Sequence, residues 1–360
     1  MRITELHIYR AQGFFLVELV TDEGITGYGE GSPHRATYAY CRELAPAVIG
    51  MDPFAVEKNF ETLLLGNNNY KGAGQVLAMC ISAIEIAMWD IVGKALNVPV
   101  YDLLGGKYRD RVRLYASGLK RTRSPVDEAK FMARMVEQHG FSAVKLKVAE
   151  RFGHDRDVYP GRTTNVIREV RAALGDDVGI LVDANGGYTS HGAIRAGRMM
   201  EKYNVFHFEE PCPYWDLDAN ARVSHVLDLP VAGGEQDWNI HTFRDMLVRD
   251  VYDVIQFDVV KCGGLLRAKK ISAMAGAFGR VCTPHCVSWT LGLIANLHFA
   301  VSTPELRYEQ EYAVDPLFTK DLFSNYAVTV SNGELPVPDG PGLGVELDQR
   351  FIREKTERVL

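Results

Sequence analysis

Cysteine is scarce in this sequence and follows no redox or metal-binding spacing. The 360 residues include six cysteines, and no two of them form a C-x-x-C pair. The first residues, MRITELHIYR, lack the apolar run of a signal peptide. In a chain of this length without a secretion signal, we expect reduced thiols and a cytoplasmic enzyme.

Excess positive charge and long apolar runs are also missing. The formal net charge is −6 at pH 7, and a nucleic-acid partner is not expected because phosphate binding needs a basic face. No stretch looks long and apolar enough to span a bilayer, so we expect no membrane partner. Hydrophobic residues make up 47% and charged residues 24%. This composition is typical of a soluble globular protein, and the length suggests about two domains.

From about residue 112, short β-rich runs alternate with helical patterns. The eight runs are RVRLYASG, AVKLKV, GILVDAN, VFHFEEP, PVAGGE, VIQFDVV, GRVCTPH and ELRYEQE. Such alternation predicts parallel strands with right-handed crossovers, and eight units predict an α/β fold, a (β/α)8 TIM barrel over residues 112–325. An open doubly wound sheet is the alternative, but no Gly-rich dinucleotide fingerprint follows a first strand.

The first 111 residues have a different pattern, which predicts an α+β N-terminal capping domain. The run FFLVELVTDEGITGYGE predicts a hairpin that turns at residues 22–24, and LAMCISAIEIAMWDIVGKAL predicts a long helix. The tail, residues 326–360, returns to short strands, and we expect it to pack back on this domain.

Charged residues occupy the carboxyl ends of several barrel strands, where barrel enzymes place their chemistry. Lys145 and Lys147 share one face of AVKLKV. A lysine pair in a central strand needs partners, because buried charges are costly alone. Strict alternation predicts that Glu209 points into the barrel and that Glu210 points away, under the helix layer.

Three carboxylates follow one another at a regular spacing. Asp183, Glu209 and Glu235 are each 26 residues apart, one strand-helix unit per step. A single Asp at a strand end is more often a cap, but three on successive strands would converge and repel one another. Hard oxygen ligands suit Mg²⁺. The spacing therefore predicts one Mg²⁺ per subunit.

At these residues the sequence resembles the enolase superfamily, specifically its mandelate racemase-like group (the mandelate racemase/muconate lactonizing enzyme family). The resemblance covers nearly the whole chain and implies the modified, enolase-type barrel with a capping domain. The matching motifs, in order, are SAIEIAMWDIVGKALNVPVYDLLGG, KLK, VDAN, FEEP, GGE, FDVVKCGG and TPH. Sites of this superfamily pair a Lys or His base with Mg²⁺.

The resemblance implies a role for each charged residue. Asp183, Glu209 and Glu235 would ligate Mg²⁺, Lys147 would be the base, and Asp258 with His285 would form the His–Asp dyad of the group. Some relatives place a catalytic lysine at the end of strand six. In this sequence that position is Asp258, and Lys261 is a less suitable substitute for that lysine. The expected substrate contacts are Lys145, Asn185, Glu309 (or Glu311, which points the same way), His34 and Arg35.

One departure from the regular spacing lies between Lys147 and Asp183, which are 36 residues apart. The extra length falls in AERFGHDRDVYPGR, residues 149–162, at the expected mouth of the barrel. This loop could cover substrate, mediate a subunit contact or be a solvated surface loop.

The resemblance implies removal of the proton α to a carboxylate of a small-molecule substrate. The cap loops are polar and basic, with His34, Arg35, Tyr38, Asn68 and Tyr70, which favours a hydroxylated acid. We therefore expect an acid-sugar dehydratase that forms a 2-keto-3-deoxy acid, in a homo-oligomer. An α-hydroxy-acid racemase or epimerase and a sugar-lactone cycloisomerase are the alternatives within the family. A non-catalytic metabolite-binding relative is the alternative of another class, but the set of base, dyad and ligands is complete.

Overall fold

The first part of the chain forms an antiparallel sheet packed against helices. The computed structural model describes residues 1–11, 13–32, 35–66, 72, 74–315 and 322–360. The elements of this cap domain are β1 (Ile3–Ala11), β2 (Phe14–Thr21), β3 (Thr26–Gly31), α1 (Arg35–Val48), α2 (Val56–Leu65), α3 (Gln75–Leu96) and α4 (Val100–Leu103). Strands β2 and β3 pair antiparallel around residues 22–24, which confirms the predicted hairpin.

Helix α3 is the core helix of the cap domain. It ends at Asn97, whose left-handed backbone (φ 57°) accommodates the C-cap. By length and composition alone it could cross a membrane, so the expectation that no stretch is long and apolar enough was wrong. Most of the helix is nevertheless buried inside the structure, where it packs on β3.

The second part of the chain alternates strands and helices, as predicted. Its elements are β4 (Arg111–Ser117), α5 (Pro125–His139), β5 (Ala143–Lys147), α6 (Arg162–Leu174), β6 (Gly179–Asp183), α7 (Ser190–Glu201), β7 (Val205–Glu209), α8 (Leu217–Ser224), β8 (Val231–Gly233), α9 (Ile240–Val248), β9 (Val254–Ile255), α10 (Leu265–Ala277), β10 (Val281–Cys282), α11 (Leu291–Val301) and β11 (Gln310–Ala313). Three further elements form the tail: β12 (Glu334–Pro336), α12 (Gln349–Lys355) and β13 (Glu357–Arg358).

Eight parallel strands form one curved sheet in the order β10-β9-β8-β7-β6-β5-β4-β11. The helices cover its outer face, and the largest hydrophobic core lies between the two layers. This architecture confirms the α/β, TIM-barrel-like prediction. The eighth strand begins at Gln310, five residues later than the predicted run ELRYEQE.

Helix α5 shows how local sequence sets an element. The Oγ of Ser124 accepts a hydrogen bond from the backbone N–H of Asp127 at 3.1 Å, and Pro125 occupies the first turn. Gly140 ends the helix with a φ of 74°. On the inner face, Ala129 and Met132 are buried against the sheet.

Buried carboxylates join the cap domain to the barrel. Glu85 of α3 accepts hydrogen bonds from the backbone N–H groups of Leu265 (2.9 Å) and Leu266 (2.8 Å) at the start of α10. Gly264, with a φ of 98°, lies so close that a Cβ there would collide with Glu85 Oε2. Carboxylates suit this position because the first N–H groups of a helix lack partners within the helix. The CGG motif is therefore a docking site for the cap helix.

The tail contacts both domains. Strand β13 pairs with β1 of the cap, and β12 pairs with β4 of the barrel. Between them, the backbone N–H of Leu343 donates to Asp90 Oδ1 of α3 at 2.9 Å. The tail thus lies against the joint between the two domains.

Candidate active site

Strand register places three charged residues side by side at one end of the sheet. Lys147 of β5 is the Cα partner of Asp183 of β6, and Asp183 is the Cα partner of Glu209 of β7. Glu235 follows β8, the next strand in the sheet. All four side chains are buried. The predicted base and the three predicted ligands therefore come together on four neighbouring strands.

Lys145 lies between two carboxylates below this row. Its Nζ is 2.8 Å from Glu209 Oε2 and 2.6 Å from Glu311 Oε1, and all three side chains are inaccessible to solvent. Burial opposes the charge, but Glu209 and Glu311 hold the pKa of Lys145 well above its usual value. Lys145 is therefore a fixed cation against the predicted ligand Glu209.

Lys147 forms an ion pair with Asp183 Oδ2, and its Nζ lies 3.3 Å from Asn185 Oδ1. Asn185 also donates its backbone N–H to Asp183 Oδ1 at 2.7 Å. Burial alone would raise the pKa of Asp183, but Lys147, Lys145 and Arg121 outweigh burial and lower it to about 2. Asp183 is therefore an anion in any solution near neutral pH.

The remaining carboxylates repel one another. Burial and the charge of Asp183 raise the pKa of Glu209 to about 8, even though Lys145 opposes this rise. Burial and the charge of Glu235 raise the pKa of Glu210 well above its usual value. A cation between these groups would relieve the repulsion.

The prediction that Glu210 faces the helix layer is wrong. Its backbone adopts a left-handed conformation with a φ of 41°, which breaks the alternation after Glu209. The buried Glu210 carboxylate accepts a hydrogen bond from Asn185 Nδ2 at 3.3 Å. Glu209 and Glu210 therefore both border the site.

The donor chemistry fits the predicted Mg²⁺. Glu209 Oε1, Glu210 Oε1 and Glu235 Oε2 are buried oxygens without a well-aligned hydrogen bond, although His285 Nε2 lies 3.2 Å from Glu235 Oε2. Buried carboxylate oxygens normally have partners. As the side chains stand, no three His, Cys, Asp or Glu residues in the described part of the chain are arranged to hold a metal ion. Asp183 instead pairs with Lys147. Unpartnered oxygens on β7 and after β8 are what an Mg²⁺ ion would take as ligands.

His285 and Asp258 form the predicted dyad on the other side of the carboxylates. His285 Nδ1 donates to Asp258 Oδ2 at 2.7 Å, so its Nε2 faces the site and lies 3.2 Å from Glu235 Oε2. Burial opposes protonation, but Glu235, Glu311 and Asp258 raise the pKa of His285 above its usual value. The dyad therefore places beside the carboxylate row an imidazole whose protonated form is favoured by its neighbours.

Glu309 does not reach the site, and its assignment as a substrate contact is corrected. It precedes β11, and its Oε1 lies 3.4 Å from Arg113 Nη1 and 3.2 Å from Ser142 Oγ. Glu311 is fully buried inside the barrel instead, bound to Lys145. The eighth strand starts later than its sequence pattern suggested, which shifts the functional glutamate by two residues.

The cap residues are only partly within the described structure. His34, Asn68 and Tyr70 lie outside the described residues, as does the side chain of Arg35. Tyr38 is described, and its hydroxyl accepts a hydrogen bond from Arg10 Nη1 at 3.0 Å.

A cavity of about 240 Å³ opens between the cap and the dyad. Its lining includes Glu30, Ser32, Asn296, His285 and Lys261. It lies where a substrate held between the carboxylates and the cap domain would extend.

Sequence reasoning missed three cations that surround the site. Lys261, treated above only as a weaker substitute for the base, lies 3.4 Å from Asp258 Oδ2. Arg121 and Arg151 both donate to Asn185 Oδ1. Arg121 belongs to the basic run LKRTR directly after the first barrel strand, a position at the catalytic end of a barrel that could have indicated it.

The fold and site together define an enzyme class in which strand-end carboxylates, a lysine pair and a His–Asp dyad line a TIM-barrel-like domain. Comparison with known families agrees. Residues 3–105 match the profile described as "Mandelate racemase / muconate lactonizing enzyme, N-terminal domain", and residues 127–351 match "Enolase C-terminal domain-like". The chain belongs to the mandelate racemase/muconate lactonizing enzyme family of the enolase superfamily.

Curated relatives are similar along most of their length. The chain is 31% identical to arabinonate dehydratase of Saccharolobus solfataricus over 94% of this chain and 89% of the relative. It is 34% identical to D-galactarolactone cycloisomerase of Agrobacterium fabrum over 94% and 90% of the two chains. Further relatives carry the names D-xylonate, D-galactonate and D-gluconate dehydratase. The prediction of an enzyme of the hydro-lyase class agrees with these names.

Solved structures share the whole fold. A mandelate racemase/muconate lactonizing protein of Paracoccus denitrificans, in complex with magnesium, superposes with a TM-score of 0.93 at 28% identity and covers 99% of this chain and 98% of that one.

Proposed function

We propose that the protein is an Mg²⁺-dependent dehydratase of a sugar acid, an aldonate or aldarate, that forms a 2-keto-3-deoxy acid. The observation that carries this proposal is the placement of two proton-transfer groups at opposite ends of one carboxylate row. Lys147 contacts Asp183 at one end, and His285 contacts Glu235 at the other. A substrate bound over the row would therefore have one proton-transfer group on each side.

Asp183, Glu209 and Glu235 would hold the metal, with Glu210 beside them. When bound, Mg²⁺ would act as a Lewis acid on the substrate carboxylate, where negative charge develops during the reaction. Lys145, fixed by Glu209 and Glu311, supplies a positive charge to the same region without moving. Preorganised charge of this kind stabilises a developing anion because little reorganisation is needed.

Lys147 would take the proton from the carbon α to the carboxylate. Its position 3.3 Å from Asn185 Oδ1 limits the directions its Nζ can face. His285 would give a proton to the β-hydroxyl as it leaves, because the nearby carboxylates favour the protonated form of its ring. Asp258 holds the ring with Nε2 facing the substrate side.

Cycloisomerisation of a sugar lactone is the second candidate, favoured by the relative from Agrobacterium fabrum. It begins with the same proton removal and differs in the group that leaves. Racemisation or epimerisation would follow if His285 returned a proton to the α-carbon. A role in metabolite binding alone would not need both proton-transfer groups.

A substrate screen tests the proposal. Purified protein with Mg²⁺ is incubated with a library of mono- and diacid sugars and with sugar lactones, and products are read as 2-keto-3-deoxy acids. Keto-acid formation from an open-chain acid supports the dehydratase. Turnover of lactones alone would establish the cycloisomerase instead, and a racemised substrate without keto acid would establish the epimerase.

We infer a homo-oligomeric assembly and a cytoplasmic location, the first testable by light scattering of the purified protein and the second by fractionation of the source cells.

A further inference from the structure

Three cationic side chains meet at one amide oxygen beside the base. Asn185 Oδ1 accepts from Arg121 Nη2 at 2.7 Å, from Lys147 Nζ at 3.3 Å and from Arg151 Nη2 at 3.4 Å. The opposite end of the same amide donates to Glu210, so the orientation of Asn185 is set from both sides. Both guanidinium groups are therefore linked to Lys147 Nζ through one shared acceptor, Asn185 Oδ1.

Neither arginine has a carboxylate of its own. Among the residues that the structure describes, no Asp or Glu oxygen lies within 4.0 Å of the guanidinium of Arg121 or Arg151, whereas Lys145 contacts two carboxylates. Arg121 is partly buried and is held by its Nε, which donates to the backbone carbonyls of Val148 (3.3 Å) and Ala149 (3.2 Å). Arg151 is exposed and Arg121 is only partly accessible, so the lack of a contacting carboxylate is most notable at Arg121.

The inserted loop, residues 149–162, carries Arg151 and contacts neighbouring parts of the barrel domain. Asp155 accepts from the backbone N–H and the hydroxyl of Thr189, at 2.8 and 2.7 Å. The ring of Phe152 stacks on Trp215 with centroids 5.5 Å apart. Ala149 and Phe152 have left-handed backbones, with φ values of 53° and 52°. A loop that is merely a solvated surface turn has no need of these fixed conformations.

The charges around Asn185 Oδ1 need a further anion. Asp183 pairs with Lys147, so the charges without a contacting carboxylate are the two guanidinium groups, and a neutral amide oxygen does not offset them. Under the proposed function, the substrate carboxylate next to the α-carbon would bind the metal and lie near the positive charge of Lys145. The planar, forked guanidinium is suited to a carboxylate. The anion missing here is therefore a second acidic group of the substrate.

We propose that Arg121 and Arg151 bind a second carboxylate of the substrate, and that the protein acts on a dicarboxylic sugar acid, an aldarate. This inference rests on the proposed function and names its substrate class. The arginines are specificity-determining residues, and the inserted loop is the element that carries one of them to the site.

Matched pairs of acids test the proposal. Each aldarate is compared with the aldonate of the same hydroxyl configuration, in turnover and in equilibrium binding to the His285→Asn variant by calorimetry with Mg²⁺. With both arginines present, the better aldarate should exceed its matched aldonate by about 10-fold or more, in kcat/KM of the parent and in affinity for the His285→Asn variant. A difference of this size is expected for a charge-assisted hydrogen bond. Arg151→Ala and Arg121→Gln should each weaken aldarate binding more than aldonate binding, so that most of this preference is lost.

Arg156→Ala is the matched control, since Arg156 lies on the same loop but its Nε is 3.3 Å from Glu150 and its side chain is 73% exposed. It should keep the preference. An equal loss for both acids in the Arg121 and Arg151 variants would mean that these residues act on the first carboxylate and would overturn the proposal. Turnover confined to aldonates would also overturn it, and preference for a 6-phosphoaldonate over the aldarate would assign the cations to phosphate instead.

The outcomes separate the two proposals. If sugar acids bind and react without any effect of the second carboxylate, the dehydratase stands and the aldarate assignment fails. If no sugar acid of either class binds or reacts, the proposed function itself fails, and the substrate assignment falls with it.

Discussion

Lys145 and Glu311 form a fully buried ion pair, with Nζ 2.6 Å from Oε1. They belong to β5 and β11, which are separated in the sheet by β4. Ser117 of β4 completes the link, because its hydroxyl donates to the same Glu311 oxygen at 2.7 Å. A glutamate of the last strand thus fixes the lysine that faces Glu209.

Glu311→Gln should lower kcat/KM by about 10- to 100-fold, the range seen when a residue that orients a metal site is altered. The amide cannot neutralise Lys145, which would lose one of its two carboxylates. Glu309→Gln is the paired control and should retain activity, because Glu309 contacts Arg113 and Ser142 instead. Equal activity of the two variants would contradict the assignment of Glu311.

Glu209→Gln should abolish Mg²⁺ binding, whereas Glu210→Gln should weaken it by about 10- to 100-fold. Both residues have a buried oxygen without a hydrogen bond, but Glu209 lies in register with Asp183, whereas Glu210 follows the strand and contacts Asn185. Calorimetric titration of Mg²⁺ into each variant measures the difference. Unaltered Mg²⁺ affinity in Glu210→Gln would show that the left-handed turn does not bring Glu210 to the metal.

The protein should lose stability as the pH falls from about 6.5 to 4, in part through His298. Burial lowers the pKa of His298 to about 4, from a usual value near 6.5. Between these values the unfolded state binds more protons than the folded state. The free energy of unfolding therefore decreases as the pH is lowered, by up to about 3 kcal/mol for this group. Protonation of His298 in the folded state is unfavourable, since Nδ1 accepts from the N–H of Tyr101 and Nε2 donates to the carbonyl of Leu343.

Denaturant unfolding at several pH values measures this effect. His298→Gln should be less stable at pH 7 and should show a flatter dependence between pH 6.5 and 4. His241→Gln, at an exposed position, should unfold like the parent at every pH. A parallel slope for His298→Gln and the parent would remove His298 as the cause.

Glu85→Gln should lower the free energy of unfolding by about 1–3 kcal/mol, because a buried acceptor of three hydrogen bonds becomes partly a donor. Besides Leu265 and Leu266, Glu85 accepts from Trp89 Nε1 at 2.7 Å. Glu61→Gln, on the exposed face of α2, is the control and should be neutral. If both variants unfold at the same denaturant concentration as the parent, Glu85 does not stabilise the junction between the cap and α10.

Much of the fold followed from local patterns. The hairpin at residues 22–24, the caps of α5 and the alternation of strands and helices depend on turn and capping residues close in sequence. The 26-residue spacing of Asp183, Glu209 and Glu235 was informative because strand register converts equal spacing into adjacency.

The misses have physical reasons as well. Strict alternation failed at Glu210 because its own backbone is left-handed and no longer follows the extended strand pattern. The eighth strand was placed too early since ELRYEQE contains charged and β-forming residues throughout, and only pairing with β4 fixes its start at Gln310. Arg151 was not singled out because its position depends on a loop that contacts Thr189 and Trp215, both distant in sequence.

The central claim is that Lys147 removes the α-proton and His285 assists the leaving hydroxyl. Exchange of the substrate α-proton with D₂O, followed by NMR with Mg²⁺ and the acid found by the screen, tests it most directly. Each substitution should lower turnover by at least about 10²–10⁴-fold. His285→Asn should still exchange the proton while forming little keto acid, and Lys147→Ala should do neither. Exchange in Lys147→Ala together with none in His285→Asn would contradict the account and make His285 the base.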